Sequence, residues 1–275
     1  MSVTLSQVLS ALEHFAPLPL QEGWDNAGLQ VGLTDGADVS GALLCLDVTE
    51  AIVDEAMRRG CNLIVSHHPL LFRGLKQLSM ADPVQRAVIK AVRSGIAVVS
   101  MHTNMDNAPG GVNWMMARQL GLQQCRFFGQ EKSCVVPDGK PSQQRRVTGA
   151  AGVVGRLNEP MPATDFVRHV KQVFGVDRAQ CNELLCRPIQ TVALCGGAGD
   201  FLLPEAVQQQ ADAFVTGEMH YHQYFGYEQR LQICVIGHYQ SEQYTAQLFA
   251  EILAQACPEL PTHIAQTDTN PIVFV

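Results

Sequence analysis

Two histidines, His67 and His68, stand side by side where the apolar run of "CNLIVSHHPLLF" stops. Neighbouring side chains on an extended strand point to opposite sides. An adjacent pair at a strand tip is therefore suited to reach two separate ions, and the plainer alternative is a hydrogen-bonded strand end. Two further pairs share one spacing. Asp106 lies four residues past His102, and Glu242 lies four past His238. Neutral imidazole with carboxylate suits zinc, iron or manganese, and two ions need a bridging carboxylate. Ordinary helix capping is the alternative for either acid alone. In "TGEMHYHQYFGYE", Glu218 is a candidate proton donor or acceptor, while His220 and His222 read as surface residues. "CGGAGDFLL" could cradle a phosphate through backbone N–H groups, or be a simple tight turn; it lacks the dinucleotide and P-loop signatures.

These residues need elements to position them. Thr4 and Gln7 form a capping box for a helix over 4–15, striped by Leu5, Val8, Leu9, Leu12 and Phe15. "GWDNAGLQVG" is a glycine-rich loop running into a short strand. "ALLCLDV" (42–48), "CNLIVS" (61–66) and "IAVVSMH" (96–102) read as buried strands. Between them, helices start at Thr49 and at Asp82–Pro83 and end at Gly60 and Gly95. Strand–helix alternation predicts a parallel sheet with helices on its faces. Ligands gather at the C-terminal strand ends of such sheets, where His67, His68 and His102 fall.

Residues 126–150 are polar and basic and read as a connection or exposed hairpin. A second lobe starts near "TGAAGVVGRL" and continues through a helix in "PATDFVRHVKQVFG". It repeats the first: "VDEAMRRGCNLIVSHH" aligns with "LPEAVQQQADAFVTGE", and "IAVVSMHTNMD" with "QICVIGHYQSE". His68 falls on Glu218, His102 on His238 and Asp106 on Glu242. Ser241 is placed to cap the helix that follows. The division expected is a first α/β lobe over 1–125, carrying His67, His68 and Asp106. A connecting segment with the start of the second lobe spans 126–189. The second lobe covers 190–275, with Glu218, His238 and Glu242.

Charge and composition exclude other classes. The formal charge is −7, with 47% hydrophobic and 16% charged residues. That balance argues against disorder and against general nucleic-acid binding. The first residues lack the basic region of a signal peptide, and no apolar run reaches membrane-span length. Nine scattered cysteines without a Cys-x-x-Cys pair read as core thiols of a cytoplasmic protein.

"GWDNAGLQVG", "SHHPLLF", "HTNMD", "GGAGDF", "TGE" and "GHYQSE" occur in this order over nearly the whole chain. Together they resemble the Nif-three-like dinuclear-metal family, also called GTP cyclohydrolase I type 2 homologues. The resemblance implies two intertwined, similar α/β lobes with a dinuclear site in the cleft between them. It implies two divalent ions (iron, zinc or manganese) on His67, His68, Asp106, His238 and Glu242, with Glu242 touching both. It also implies a homohexamer, a trimer of dimers. The function expected is metal-dependent hydrolysis of a small molecule, a nucleotide such as GTP attacked at guanine C8 by a metal-bound hydroxide, or a phosphoester. Glu218 and His102 are expected to move the protons. The alternative is a non-catalytic metal-binding ring that engages a protein or nucleic acid.

Overall fold

A computed structural model of the chain describes residues 2–32, 36–138, 140–273 and 275. The helix and strand signals read above are realised. Thr4 and Gln7 cap the helix Leu5–Phe15 reciprocally. Thr49 caps Glu50–Arg58, and Asp82 caps Pro83–Arg93. Each of these helices buries an apolar stripe.

Two sheets organise the chain. In the first, the strand order is Thr262–Ile264, Ala42–Cys45, Leu63–Ser66, Ala97–Ser100, Gly28–Val31. The first four run parallel, and Gly28–Val31 pairs antiparallel at the edge. The second sheet runs Gln180–Cys181, Gln232–Val235, Ala213–Thr216, Ile189–Cys195, Gly152–Met161, Gln123–Phe128. Ile189–Cys195, Ala213–Thr216 and Gln232–Val235 are parallel. Their alternate residues enter different cores: Val192, Leu194 and Val215 pack with Phe166 and Phe174, whereas Ala193, Phe214 and Ile233 pack with Leu202 and Ala206. Burial on both faces explains why these strands read as unbroken apolar runs. The fold is mixed α/β.

The chain divides into two units: residues 1–105, 134–147 and 245–275, and residues 106–133 and 148–244. This differs from the serial division read from the sequence. The C-terminal strand Thr262–Ile264 pairs parallel with Ala42–Cys45, so the last 31 residues, expected in the second lobe, join the first unit. Asp106, expected in the first lobe, opens the second unit's first segment. Within residues 126–150, Phe128 ends the strand Gln123–Phe128 of the second sheet, and Lys132–Asp138 pairs with Lys140–Gly149 as a hairpin; Gly139 lies outside the described residues. The hairpin's middle belongs to the first unit. Long-range pairing of this kind leaves no local mark in a sequence.

Among the described residues, no helix is long and apolar enough to cross a membrane. All nine cysteines are free thiols; Cys45, Cys61, Cys195, Cys234 and Cys257 are buried, but Cys125, Cys134 and Cys181 are half-buried and Cys186 is exposed, so the core-thiol reading holds for five of the nine.

Candidate metal centre

In the first unit, three parallel strands end side by side, and each hands its next residues to one spot. Beyond Cys45 stand Leu46 and Asp47, beyond Ser66 the histidine pair, and beyond Ser100 Met101 and His102. The strand stops at Ser66, whose Oγ donates to the carbonyl of His68 at 2.9 Å and pairs with Ser100 Oγ at 2.8 Å. The histidines therefore lie in a bend, and strand alternation does not separate them. Their ring centroids are 4.9 Å apart, and each lies within 5.5 Å of the His102 ring. One ligand atom from each of His67, His68 and His102 can be chosen so that all lie within 4.8 Å of one another. The triad is thus able to share an ion, where alternation had argued for two.

Each ring is held by its other nitrogen. His67 Nδ1 lies 2.9 Å from the carbonyl of Met101, His68 Nδ1 2.7 Å from Asp47 Oδ1, and His102 Nδ1 2.7 Å from Asp25 Oδ1. A carbonyl or an ionised carboxylate only accepts, so each Nδ1 carries the proton and Nε2 keeps the lone pair. Burial raises the pKa of Asp25, yet hydrogen bonds from His102 and Thr103 outweigh it and hold the carboxyl at about 2. Asp47 is likewise lowered: burial pushes it up, and the His68 and Thr269 hydrogen bonds pull it further down. An imidazole fixed through Nδ1 by an oxygen acceptor is the usual arrangement around a metal-ligating histidine. The donor set fits a divalent transition metal.

Asp25 and Asp47 were not among the expected site residues. Asp25 sits inside "GWDNAGLQVG", and Asp47 follows its apolar strand at the place that His68 holds one strand over. The strand-tip rule that found the histidines would have found Asp47; nothing local marks Asp25 as the partner of a residue 77 positions away.

The second unit gathers Glu218, His238 and Glu242. Glu218 follows the strand Ala213–Thr216, and Ser66 and Thr216 hold corresponding places, so Glu218 matches His68 as the repeat predicts. The other match is off by one. Ser100 corresponds to Val235 in sheet register, so His102 falls on Gly237, and His238 lies one residue further on. Gly237, at φ +99°, turns the chain into the short helix His238–Glu242. His238 Nδ1 is 3.2 Å from Glu218 Oε1, and its Nε2 is 3.1 Å from Glu242 Oε2. Glu242 is buried, whereas Glu218 is exposed.

Two expectations fail here. Ser241 does not cap a helix over the following residues. It lies within the short helix, donating to the carbonyl of His238 at 2.7 Å and accepting from Gly197 N–H at 2.9 Å. Nor is "CGGAGDFLL" a phosphate cradle. The N–H groups of Gly196, Gly197 and Gly199 are taken by Asn113 Oδ1, Ser241 Oγ and Thr216 Oγ1. The loop serves instead as a wall for Glu242: a Cβ on Gly197, at φ +58°, would stand 2.5 Å from Glu242 Oε1. Asp106 lies half-buried in the helix Thr103–Asn107, and its carbonyl accepts from Asn113 Nδ2 at 3.3 Å. His220 and His222 stay outside this group, and His220 pairs with Asp200 at 3.0 Å.

The chain is similar along its whole length to known proteins. The GTP cyclohydrolase 1 type 2 homolog of Clostridium acetobutylicum is 27% identical over 279 residues, covering 100% of both chains. The protein NIF3 homolog of Schizosaccharomyces pombe is 31% identical over 281 residues, which are 98% of this chain and 94% of that one. Among solved structures, the Bacillus cereus protein related to NIF3 matches with a TM-score of 0.85 at 25% identity over 100% of both chains. The sequence model of the Duf34/NIF3 (NGG1p interacting factor 3) family matches residues 3–271, and the chain belongs to that family.

Proposed function

We propose that the protein is a metal-dependent hydrolase of a nucleotide, carrying two divalent ions per chain. The observation that supports this reading best is the triad His67, His68 and His102, each ring fixed through Nδ1 by a carbonyl or carboxylate. His67, His68, Asp106, His238 and Glu242 would hold the ions, with Glu242 shared between them, as the family resemblance implies. His102, expected as a proton carrier, has the same tethered geometry as the other two rings and joins the ligands in this reading. A bound divalent ion would lower the pKa of a water to about 7 and so supply a nucleophile at neutral pH. GTP is the nucleotide that the names of relatives suggest, with attack at guanine C8; a phosphoester is the neighbouring possibility for the same donors. A homohexamer belongs to the same proposal.

The chain's own residues divide the remaining work. Asp25 and Asp47 hold His102 and His68 in one tautomer and orientation. Glu218 does this for His238 in the second unit, and because it is exposed it can also exchange a proton with substrate or solvent. Elemental analysis after loading with zinc, iron or manganese tests the ion count, and the expected result is about two per chain. Incubation of loaded protein with a panel of nucleotides, read by mass spectrometry, should give metal-dependent formate or phosphate release. Metal uptake with no turnover of any nucleotide would count for the non-catalytic ring.

A further inference from the structure

The rim of the triad carries two aromatic rings that the protein holds in solvent. Trp24 is 61% exposed and Phe72 48% exposed. Their centroids are 5.8 Å apart and their planes tilted by 58°, so neither covers the other face to face. Both meet the His102 ring edge-on, Trp24 at 6.1 Å and Phe72 at 6.3 Å. Exposed rings of this size forgo the gain of burial, yet their backbones are firmly pinned. Next to Trp24, Asp25 binds His102 Nδ1 and both the N–H and hydroxyl of Thr103. Asn26 Nδ2 donates to the carbonyl of Leu71 at 2.7 Å, and Leu71 N–H donates to Gln30 Oε1 at 3.1 Å, which fixes the residue before Phe72. Gln30 in turn donates to the carbonyl of Asn26 at 2.6 Å. The polar residues of "GWDNAGLQ" thus tie the two aromatic positions to each other and to the imidazole triad.

We propose that Trp24, aided by Phe72, is a stacking platform for a planar heteroaromatic ring, a purine base, presented to the His67–His68–His102 cluster. A base stacks on an aromatic ring at about 3.5–4 Å, and the indole centroid is 6.1 Å from that of His102. A purine on this platform offers its π-face to Trp24 and turns its ring nitrogens and exocyclic groups toward the ion that the imidazoles would hold. An aliphatic ligand would use the apolar rim but has no π-face for the indole and no ring nitrogen for the ion. The proposal rests on the hydrolase reading for its biological meaning and sharpens it, because it assigns recognition of the base to residues that hold no metal.

The test is binding without turnover. Equilibrium dialysis of the zinc-loaded full chain with guanosine is compared with ribose 5-phosphate, which has no base. The variants are Trp24→Ala and Phe72→Leu, each checked for metal content and thermal stability. Base–aromatic stacking is worth about 1–3 kcal/mol, so Trp24→Ala should weaken guanosine roughly 5- to 100-fold, with zinc content unchanged. Phe72→Leu should weaken it less. Because Trp24 and Trp114 are the chain's two tryptophans, guanosine should quench the fluorescence of a Trp114→Phe variant and ribose 5-phosphate should not. The proposal is overturned if the wild type fails to bind guanosine, if Trp24→Ala binds it within about twofold of wild type, or if ribose 5-phosphate competes equally. A change of oligomeric mass in Trp24→Ala with unaltered guanosine binding would also overturn it, marking the rings as a contact between copies. Guanosine binding that depends on Trp24 without hydrolysis of any nucleotide would instead defeat the hydrolase reading and leave the platform standing.

Discussion

The strand tips of the two units solve the same problem differently. In the first, three imidazoles each have one nitrogen tied to an oxygen that can only accept, and the opposite nitrogen keeps its lone pair. In the second, one imidazole lies between two carboxylates, Glu218 on Nδ1 and Glu242 on Nε2. A neutral ring has a single N–H, so one of these contacts would set a lone pair against a carboxylate oxygen. A proton or a metal cation between them removes that repulsion. The first unit is thus a preorganised set of neutral donors, and the second is a site whose charge asks for a cation. The first offers geometry, the second charge.

The sharpest way to break this contrast is to remove one member of each set. His67→Ala and Glu242→Ala should each lower zinc affinity by more than about 100-fold, beyond the 10–100-fold cost typical of losing a supporting residue. Isothermal titration of the full chain measures both. If Glu242→Ala keeps wild-type affinity and stoichiometry while His67→Ala loses them, the second unit plays no part in holding metal. Next come the tethers. Asp25→Asn should cost roughly 10- to 100-fold in zinc affinity, because it loosens His102 and two groups of Thr103 together. Glu218→Gln, exposed and 3.2 Å from its ring, should cost less in affinity and more in turnover, by about 10²–10⁴-fold. Equal losses of zinc from both variants would make the two units alike and remove the distinction between geometry and charge.

A smaller effect is expected at Gly197. Alanine there must adopt φ +58° and place a methyl group 2.5 Å from Glu242 Oε1. The backbone strain is worth about 1–3 kcal/mol, and displacement of Glu242 should weaken zinc by roughly tenfold. A variant that melts and binds like wild type would show that the loop yields and does not position the carboxylate. This residue also shows what the sequence reveals and what it hides. Capping boxes, apolar runs and the strand-tip rule are local, so helices, parallel strands and the three histidines were legible. The role of "CGGAGDFLL" was not, because its N–H groups are taken by Asn113, Thr216 and Ser241 from distant segments. The one-residue offset between His102 and His238 was hidden too: a matching His-x-x-x-acid spacing is blind to sheet register, which only strand pairing sets. The strand Thr262–Ile264 failed to declare its unit for the same reason.

The mildest test uses a carboxylate of the first unit that lies apart from the imidazoles. Glu55 is 3% exposed and accepts from the N–H groups of Gln266 and Thr267, the hydroxyl of Thr267 and Nε of Arg59. Burial raises its pKa, but these donors together lower it from 4.5 to about 2. Asp25 is depressed to the same value by holding a ring; Glu55 is depressed by holding the chain's returning C-terminal segment. Because the folded pKa lies below the unfolded one, the stabilisation is complete above about pH 4.5 and is lost as pH falls toward 2. Glu55→Gln should therefore destabilise the protein at neutral pH by about 1–3 kcal/mol, since the amide replaces a charged acceptor with a weaker one. It should flatten the acid limb of the stability curve and leave zinc affinity untouched. Hydrogen exchange at Gln266 and Thr267 should rise in the variant. Protection there equal to wild type, with an unchanged acid limb, would mean that the segment is held by the pairing of Thr262–Ile264 alone.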